Sequence, residues 1–240
     1  MNQENERKIA ALQALHQSAK RTDDFENHHA FTKALKSSND PDILDYHYNL
    51  LRERSNRDLY LRIRAAFDER GPTVGDFLEE KARVEKDSAM RADILHLLGL
   101  VKHPAAVPMA RDSLKAKDPE LRRRACYVIG WLGQAEDVPR LRDILIHDPE
   151  PDVRATAATT HYQFYEHSKR SKMPLLRNLS DALSAEPDRG VVGSIILAVQ
   201  YILERRFGIK WDREEDELLG DVESAREKCM KALGRLLGGS

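Results

Sequence analysis

The sequence predicts an all-α protein in which one two-helix unit is stacked again and again. Three observations carry that expectation. A phrase recurs: Val107-Pro108-Met109-Ala110-Arg111-Asp112-Ser113-Leu114 and Val138-Pro139-Arg140-Leu141-Arg142-Asp143-Ile144-Leu145 begin 31 residues apart, and a period of roughly 20–50 residues marks stacked repeat arrays. Each phrase is followed by an Asp-Pro-Glu turn, Asp118-Pro119-Glu120 and Asp148-Pro149-Glu150, and each turn by an apolar-Arg pair, Leu121-Arg122 and Val153-Arg154. Between the phrases, Leu121, Ala125, Val128, Ile129 and Leu132 fall on one helical face. No sustained apolar–polar alternation marks a strand.

Taken in order, Ile9, Leu12 and Leu15 predict a first helix over about residues 4–20, and Phe25, Phe31, Ala34 and Leu35 a second that ends near Ser37-Ser38-Asn39-Asp40. Pro41 opens the next helix, which runs to about Arg52; Leu59, Ile63, Ala66 and Phe67 mark another, stopped by Gly71-Pro72. A frame of proline with an acid or amide four residues on then fits Pro41/Asp45, Pro72/Asp76, Pro108/Asp112, Pro139/Asp143 and Pro174/Asn178, at steps of 31, 36, 31 and 35 residues. Proline suits a first helical turn, where its missing N–H has no partner to lose, and an acid there faces the positive end of the helix dipole. The helices between carry apolar stripes: Met90, Ile94, Leu97, Leu98 and Val101, then Leu121 to Leu132, then Val153, Ala157, Thr160 and Phe164. Gly99 and Gly130 correspond across the period and predict close helix approaches, because a mid-helix glycine otherwise costs about 1 kcal/mol. His161 and Tyr162 stand where Ile129 and Gly130 stand one unit earlier, so that unit packs differently. Leu175, Leu176, Leu179 and Leu183 follow Pro174, and an apolar helix runs from about Arg189 to Arg206. The tail then turns acidic through Asp212-Arg213-Glu214-Glu215-Asp216-Glu217, and a last helix spans Ser224 to Leu237 before a Gly238-Gly239-Ser240 end expected to fray.

These elements compose one domain over residues 1–240: capping helices over 1–40, repeats over 41–188, and a C-terminal repeat or cap over 189–240 with an acidic loop at 207–223, about five to six repeats in all. Charged residues make up 33% and apolar residues 41%; an ordinary globular domain carries about 25% charge, and thin high-surface architectures need more. The formal net charge of −1 gives no basic excess for a general nucleic-acid binder. Cys126 and Cys229 are the two cysteines, too far apart in sequence to suggest a disulfide scaffold. The N-terminus lacks the order of a signal peptide, and the longest apolar run, Val191 to Leu203, falls short of the ~20 residues a membrane span needs. A cytoplasmic location is expected.

The stretch Asp118 to Ala125, with Ile129-Gly130-Trp131-Leu132-Gly133, Val138-Pro139-Arg140-Leu141 and Leu145, resembles the HEAT-like repeat of the phycobilisome-lyase type; the best copies span about Met90 to Ala157 and weaker ones reach Pro41 and Leu237. The resemblance implies an α-solenoid of antiparallel helix pairs, HEAT-like repeats, whose proline-started helices line a concave, protein-binding side. Members of that family include bilin lyase subunits, DNA glycosylases, deoxyhypusine hydroxylase and small bacterial partner-binding proteins.

Candidate binding residues follow from the repeat. Arg111, Arg142 and Arg177, followed by Asp112, Asp143 and Asn178, would stack in rows and, with Arg140, offer a charged strip to a partner, since arginine suits bidentate carboxylate recognition. The other reading of the same row is an Arg/Asp ladder tying neighbouring repeats, because nearest-neighbour interfaces hold such arrays together; Arg122 and Arg154 fit that second role. Trp211 beside the acidic loop is a candidate anchor, with a capping loop that buries it as the alternative. Tyr162-Gln163-Phe164-Tyr165 is read as core filling. Histidines at 28, 29, 47, 96, 103, 147, 161 and 167 show no ligand spacing, and no His-Glu dipeptide of the hydroxylase kind occurs, so no metal, cofactor or catalytic residue is expected. Arg122-Arg123-Arg124 and Lys169-Arg170-Ser171-Lys172 are the densest basic clusters, and each reads as a solvated face or loop. The expected function is a non-catalytic scaffold for a protein partner, with an immunity or inhibitor role against a toxin or enzyme as its specific case and a bilin lyase-like subunit or a glycosylase as the alternative class.

Overall fold

A computed structural model describes residues 3–21, 24–212 and 214–238; Arg213 of the acidic loop and the Gly239-Ser240 end lie outside the described residues. Two compact units are present, Met1–Ala105 and Ala106–Ser240.

In the first unit the helices are α1 (Gln3–Lys20), α2 (Phe25–Leu35), α3 (Pro41–Leu50), α4 (Arg57–Asp68), α5 (Gly75–Val84) and α6 (Ser88–Leu100). α2 packs on α4 and α4 on α6, while α1 lies against α2 and α3, α3 against α4, and α5 against α6. Short polar side chains start these helices. The carboxylates of Asp24, Asp40 and Asp87 and the amide oxygen of Asn56 each accept a first-turn backbone N–H, a contact worth about 1 kcal/mol. Pro41 is the first residue of α3, whereas Pro72 sits in a 3-10 turn, Gly71–Val74, one step ahead of α5. The predicted stripes are the core: Phe31, Leu35, Ile43, Ile63, Phe67, Ile94 and Leu97 are fully enclosed, each burial contributing about 1.5–3 kcal/mol.

The second unit repeats the arrangement with α7 (Ala106–Ser113), α8 (Pro119–Leu132), α9 (Val138–His147), α10 (Pro151–His167), α11 (Lys172–Ala185), α12 (Arg189–Leu203) and α13 (Val222–Leu237). α8, α10 and α12 pack side by side in one row, and α9, α11 and α13 in another; α7 pairs with α8, α9 with α10 and α11 with α12. Gly130 explains how closely the first row packs. A Cβ there would stand 2.9 Å from Thr160 Cγ2 and 3.0 Å from Gln163 Oε1, so α8 and α10 touch where the sequence predicts. The two Asp-Pro-Glu phrases differ in use. Asp118 caps α8 and Pro119 is its first residue, while α10 starts later, at Pro151, and frees Asp148 for another partner.

One expectation fails. The acidic loop contains strands: β1 (Ile209–Asp212) and β2 (Glu217–Gly220) form an antiparallel hairpin, with Trp211 opposite Leu218. Strands of four residues are too short to show an alternation of period two in sequence. The Asp212 carboxylate turns the chain by accepting the N–H groups of Glu214 and Glu215 at 2.9 and 3.3 Å, an Asx turn. The hairpin lies on α12. Gln200 fastens it, its amide donating to Ile209 O at 3.2 Å and accepting from Phe207 N at 2.6 Å. Leu218 fits the notch left by Gly193, where a Cβ would lie 2.2 Å from Leu218 Cδ2.

Candidate functional site

The arginines after the turns join one repeat to the next. Arg122 donates to Asp148 through Nε and Nη2 at 2.7 and 2.8 Å, and through Nη1 to the Ala116 and Lys117 carbonyls. Arg154 repeats the pattern, with Glu186 at 2.8 Å on both arms and the Asp148 and Pro149 carbonyls behind. Each guanidinium therefore closes its own turn and clasps the carboxylate of the following one. Removing one partner from such a buried pair strands the other charge.

The row of Arg111, Arg142 and Arg177 divides. Arg111 donates to buried Asp137 through Nε and Nη2 at 2.7 and 2.9 Å and also reaches Glu136. Burial alone would raise the Asp137 carboxyl; Arg111, the Gln134 N–H and Arg140 outweigh it and hold the acid below its usual range. Arg142 reaches Asp181 at 3.1 Å across exposed surface, a pair worth about 0–1 kcal/mol. Arg177 is exposed, with no ion pair among the described residues. Asp112 and Asp143 do not answer these arginines: both are exposed, and Asp143 instead contacts His147 at 3.0 Å on its own helix. Asn178 leaves the expected surface row altogether. It is buried, its amide donating to Val138 O at 3.3 Å and lying 3.3 Å from His161 Nε2. Spacing put Asn178 in register with the acids; it did not say that the neighbouring helix would carry a buried imidazole to receive it.

Trp211 is 48% exposed, which decides against the burying cap. β1 holds its indole over α12 at the edge of an open groove of about 730 Å³. The floor is Ser194, Leu197, Gln200 and Tyr201 of α12, the far wall Thr159 and Tyr162 of α10, and the end Glu204, Arg205 and Arg206. The Tyr162 and Tyr201 rings meet with centroids 4.7 Å apart, tilted by 40°. Of the aromatic stretch on α10, Phe164 fills the core as predicted, but Tyr162 lines this groove and Tyr165 carries Lys169 Nζ 3.8 Å over its ring. Sequence had no signal for the juxtaposition, which brings together residues 159 to 211 from three elements.

The candidate reactive groups are placed as follows. Cys126 and Cys229 are unpaired and buried, and burial pushes both thiols up to about 12, so neither is a thiolate near neutral pH. His47 is enclosed, stacked 3.7 Å from Phe67 and 2.8 Å from Ile63 O, and burial drives it down to about 3. His161 Nδ1 donates to Ala157 O at 2.7 Å, and burial drives the imidazole down to about 4. One grouping that the spacing did not reveal joins Asp76, Glu79 and His103, whose ligand atoms lie within 4.8 Å of one another. His103 Nε2 stands 3.1 Å from exposed Asp76, and Glu79 also holds Arg83 at 2.6 Å. Among the described residues no helix is long and apolar enough to cross a membrane.

Comparison with known families agrees with the helix pairs. Residues 75–160 match the family of HEAT repeats, a stretch that runs from α5 into α10. The match is to HEAT repeats in general, a fold used widely as a protein-interaction scaffold, and does not single out the phycobilisome-lyase type. No curated protein matches the chain.

Proposed function

We propose that this HEAT-repeat protein is a non-catalytic scaffold that binds a protein partner, and that the partner seats in the groove floored by α12. The observation that carries this is Trp211, half exposed on a strand that departs from the repeat and flanked by Tyr162 and Tyr201. Large aromatics at the centre of a patch dominate binding energies. The polar row of the repeats is a weaker candidate, since Arg111 and Asn178 are engaged with neighbouring helices. An inhibitor that masks a toxin or an enzyme is one form such a scaffold takes, and the partner's identity decides it.

The test is capture of the native partner on the full chain, followed by affinity measurement with two variants. Trp211→Ala is expected to weaken binding at least about tenfold, the scale of losing one hot-spot side chain. Arg142→Glu, on the proline-started α9, is expected to change it less than about threefold, as for a rim charge. The reverse order would move the interface to the repeat face. If neither variant weakens binding, both surfaces are excluded.

A further inference from the structure

We infer that the α12 groove takes an acidic segment of a protein partner, with an apolar side chain beside Trp211 and carboxylates on Arg205, Arg206 and Lys210. This rests on the protein-binding reading and adds the chemistry of what is bound. A second cavity of about 490 Å³ adjoins the first and shares Leu197, Gln200, Arg206 and Trp211 with it. Trp211 thus stands between two hollows, with Leu197 and Tyr201 in the lining of the first and Leu197, Ile209 and Leu219 in that of the second. Charge on their rims is unbalanced: Arg205, Arg206 and Lys210 face one carboxylate, Glu204. All four are exposed; no carboxylate among the described residues lies within ion-pair distance of the three cations, while the Lys210 charge reaches Asp212 and Arg205 stands 5.5 Å over the Phe207 ring. Arg111, Arg122, Arg142 and Arg154 are on carboxylates, and Arg177 is exposed and unpaired like these three; what sets Arg205, Arg206 and Lys210 apart is that they line hollows beside Trp211. Unpaired guanidiniums beside aromatic walls match carboxylates flanking an apolar residue, because arginine binds carboxylate bidentately and stacks on rings.

A nucleic-acid strand meets the same cations and rings less well. Its charge recurs at every nucleotide, and beyond Trp211 it would run into Glu214, Glu215, Asp216 and Glu217, all exposed at the hairpin tip. A peptide can put neutral residues there.

The experiment is fluorescence polarisation on the full chain with three labelled probes. One is a peptide pool with glutamates flanking a central Leu, Phe, Tyr or Trp; the second has glutamine at each glutamate; the third is a short oligothymidylate. The acidic pool is expected to bind at least about tenfold tighter than the amide pool at low salt, and the gap to shrink as salt shortens the Debye length to a few ångströms. Arg206→Glu is expected to remove most of that gap, Arg206→Lys to keep most of it, and Trp211→Ala to weaken both pools. Arg206 is exposed, so an unchanged melting temperature is expected for its variants and confirms that they fold. Equal affinity for the two pools, lost on Trp211→Ala, overturns the acidic class and leaves protein binding at the groove standing. Binding by neither pool overturns the inference, and partner capture then decides the broader reading. Tightest binding by the oligonucleotide, abolished in Arg206→Glu, also overturns it.

Discussion

His161 occupies the place that Ile129 holds one unit earlier, and it is compatible with the core only while neutral. With the proton on Nδ1, which bonds Ala157 O at 2.7 Å, Nε2 is left as an acceptor facing the Asn178 amide. Protonation would put a donor against a donor and a charge among apolar neighbours. Burial therefore lowers the group from 6.5 to about 4. The unfolded chain takes up this proton at a higher pH than the folded chain does. Stability from His161 is thus complete above about 6.5 and is lost as pH falls toward 4, a span worth roughly 3 kcal/mol. His47 acts in the same direction down to about 3. Burial alone would raise Glu85, but bonds from Tyr48, the Asp87 N–H and Arg52 hold it down to about 2, so its contribution fades only below 4.5. We predict that His161→Gln, which keeps an acceptor for Asn178, flattens the slope of unfolding free energy between pH 4 and 6.5 by close to one proton. Urea titrations at several pH values measure this, and an unaltered slope would mean that the imidazole is not held neutral in the fold. Position in the repeat was enough to mark His161 as an exception. That its partner would be Asn178 was not legible, because spacing fixes the helix face a side chain occupies and not what the next helix brings to it.

At the scale of elements, the helices were legible and the hairpin was not. Aspartate caps, proline-started turns and apolar stripes are local and repeat, so α8, α9 and α10 can be read from sequence to within a few residues. Arg122 and Arg154 were also legible as struts, since the residue after a turn faces the following turn. The hairpin depends instead on contacts from outside itself, Gln200 on its backbone and Gly193 beneath Leu218, and on the backbone of its own Gly220. Gly220 has φ +108°, and a Cβ there would lie 2.3 Å from Gly208 O, a backbone atom that cannot rotate aside. Gly220→Ala should therefore unseat β2 from β1, at a cost of about 1–3 kcal/mol for the backbone strain alone, and loosen the mount of Trp211. The expected result is faster proteolytic cutting within residues 205–220, with the helical circular dichroism nearly unchanged. A cutting rate equal to that of the wild type would show that the glycine is not what allows the hairpin to close.

For the whole molecule, cohesion between neighbours in sequence sets how damage spreads. In an array of repeats, stability is close to a sum of unit terms and nearest-neighbour interfaces. α8, α10 and α12 pack in succession, and Arg122–Asp148 and Arg154–Glu186 each join consecutive turns. Arg122→Leu strands Asp148 in a site that gives its carboxylate little water, and breaking one partner of a buried pair costs about 3–5 kcal/mol. Replacing Asp148 as well by an apolar residue should recover part of that loss, because the unpaired charge goes with it. Where the loss appears is the sharper question. A globule with one shared core loses protection everywhere when its stability falls, since its slowest amides exchange by global opening. A stack opens first at the weakened joint. Hydrogen exchange of Arg122→Leu should therefore quicken most in α8, α10 and the turns they share, less in α12 and α13, and least over residues 3–100. A uniform fall in protection across the chain would show that its helix pairs unfold as one cooperative body, and the repeat would then describe the sequence without describing how the fold is held.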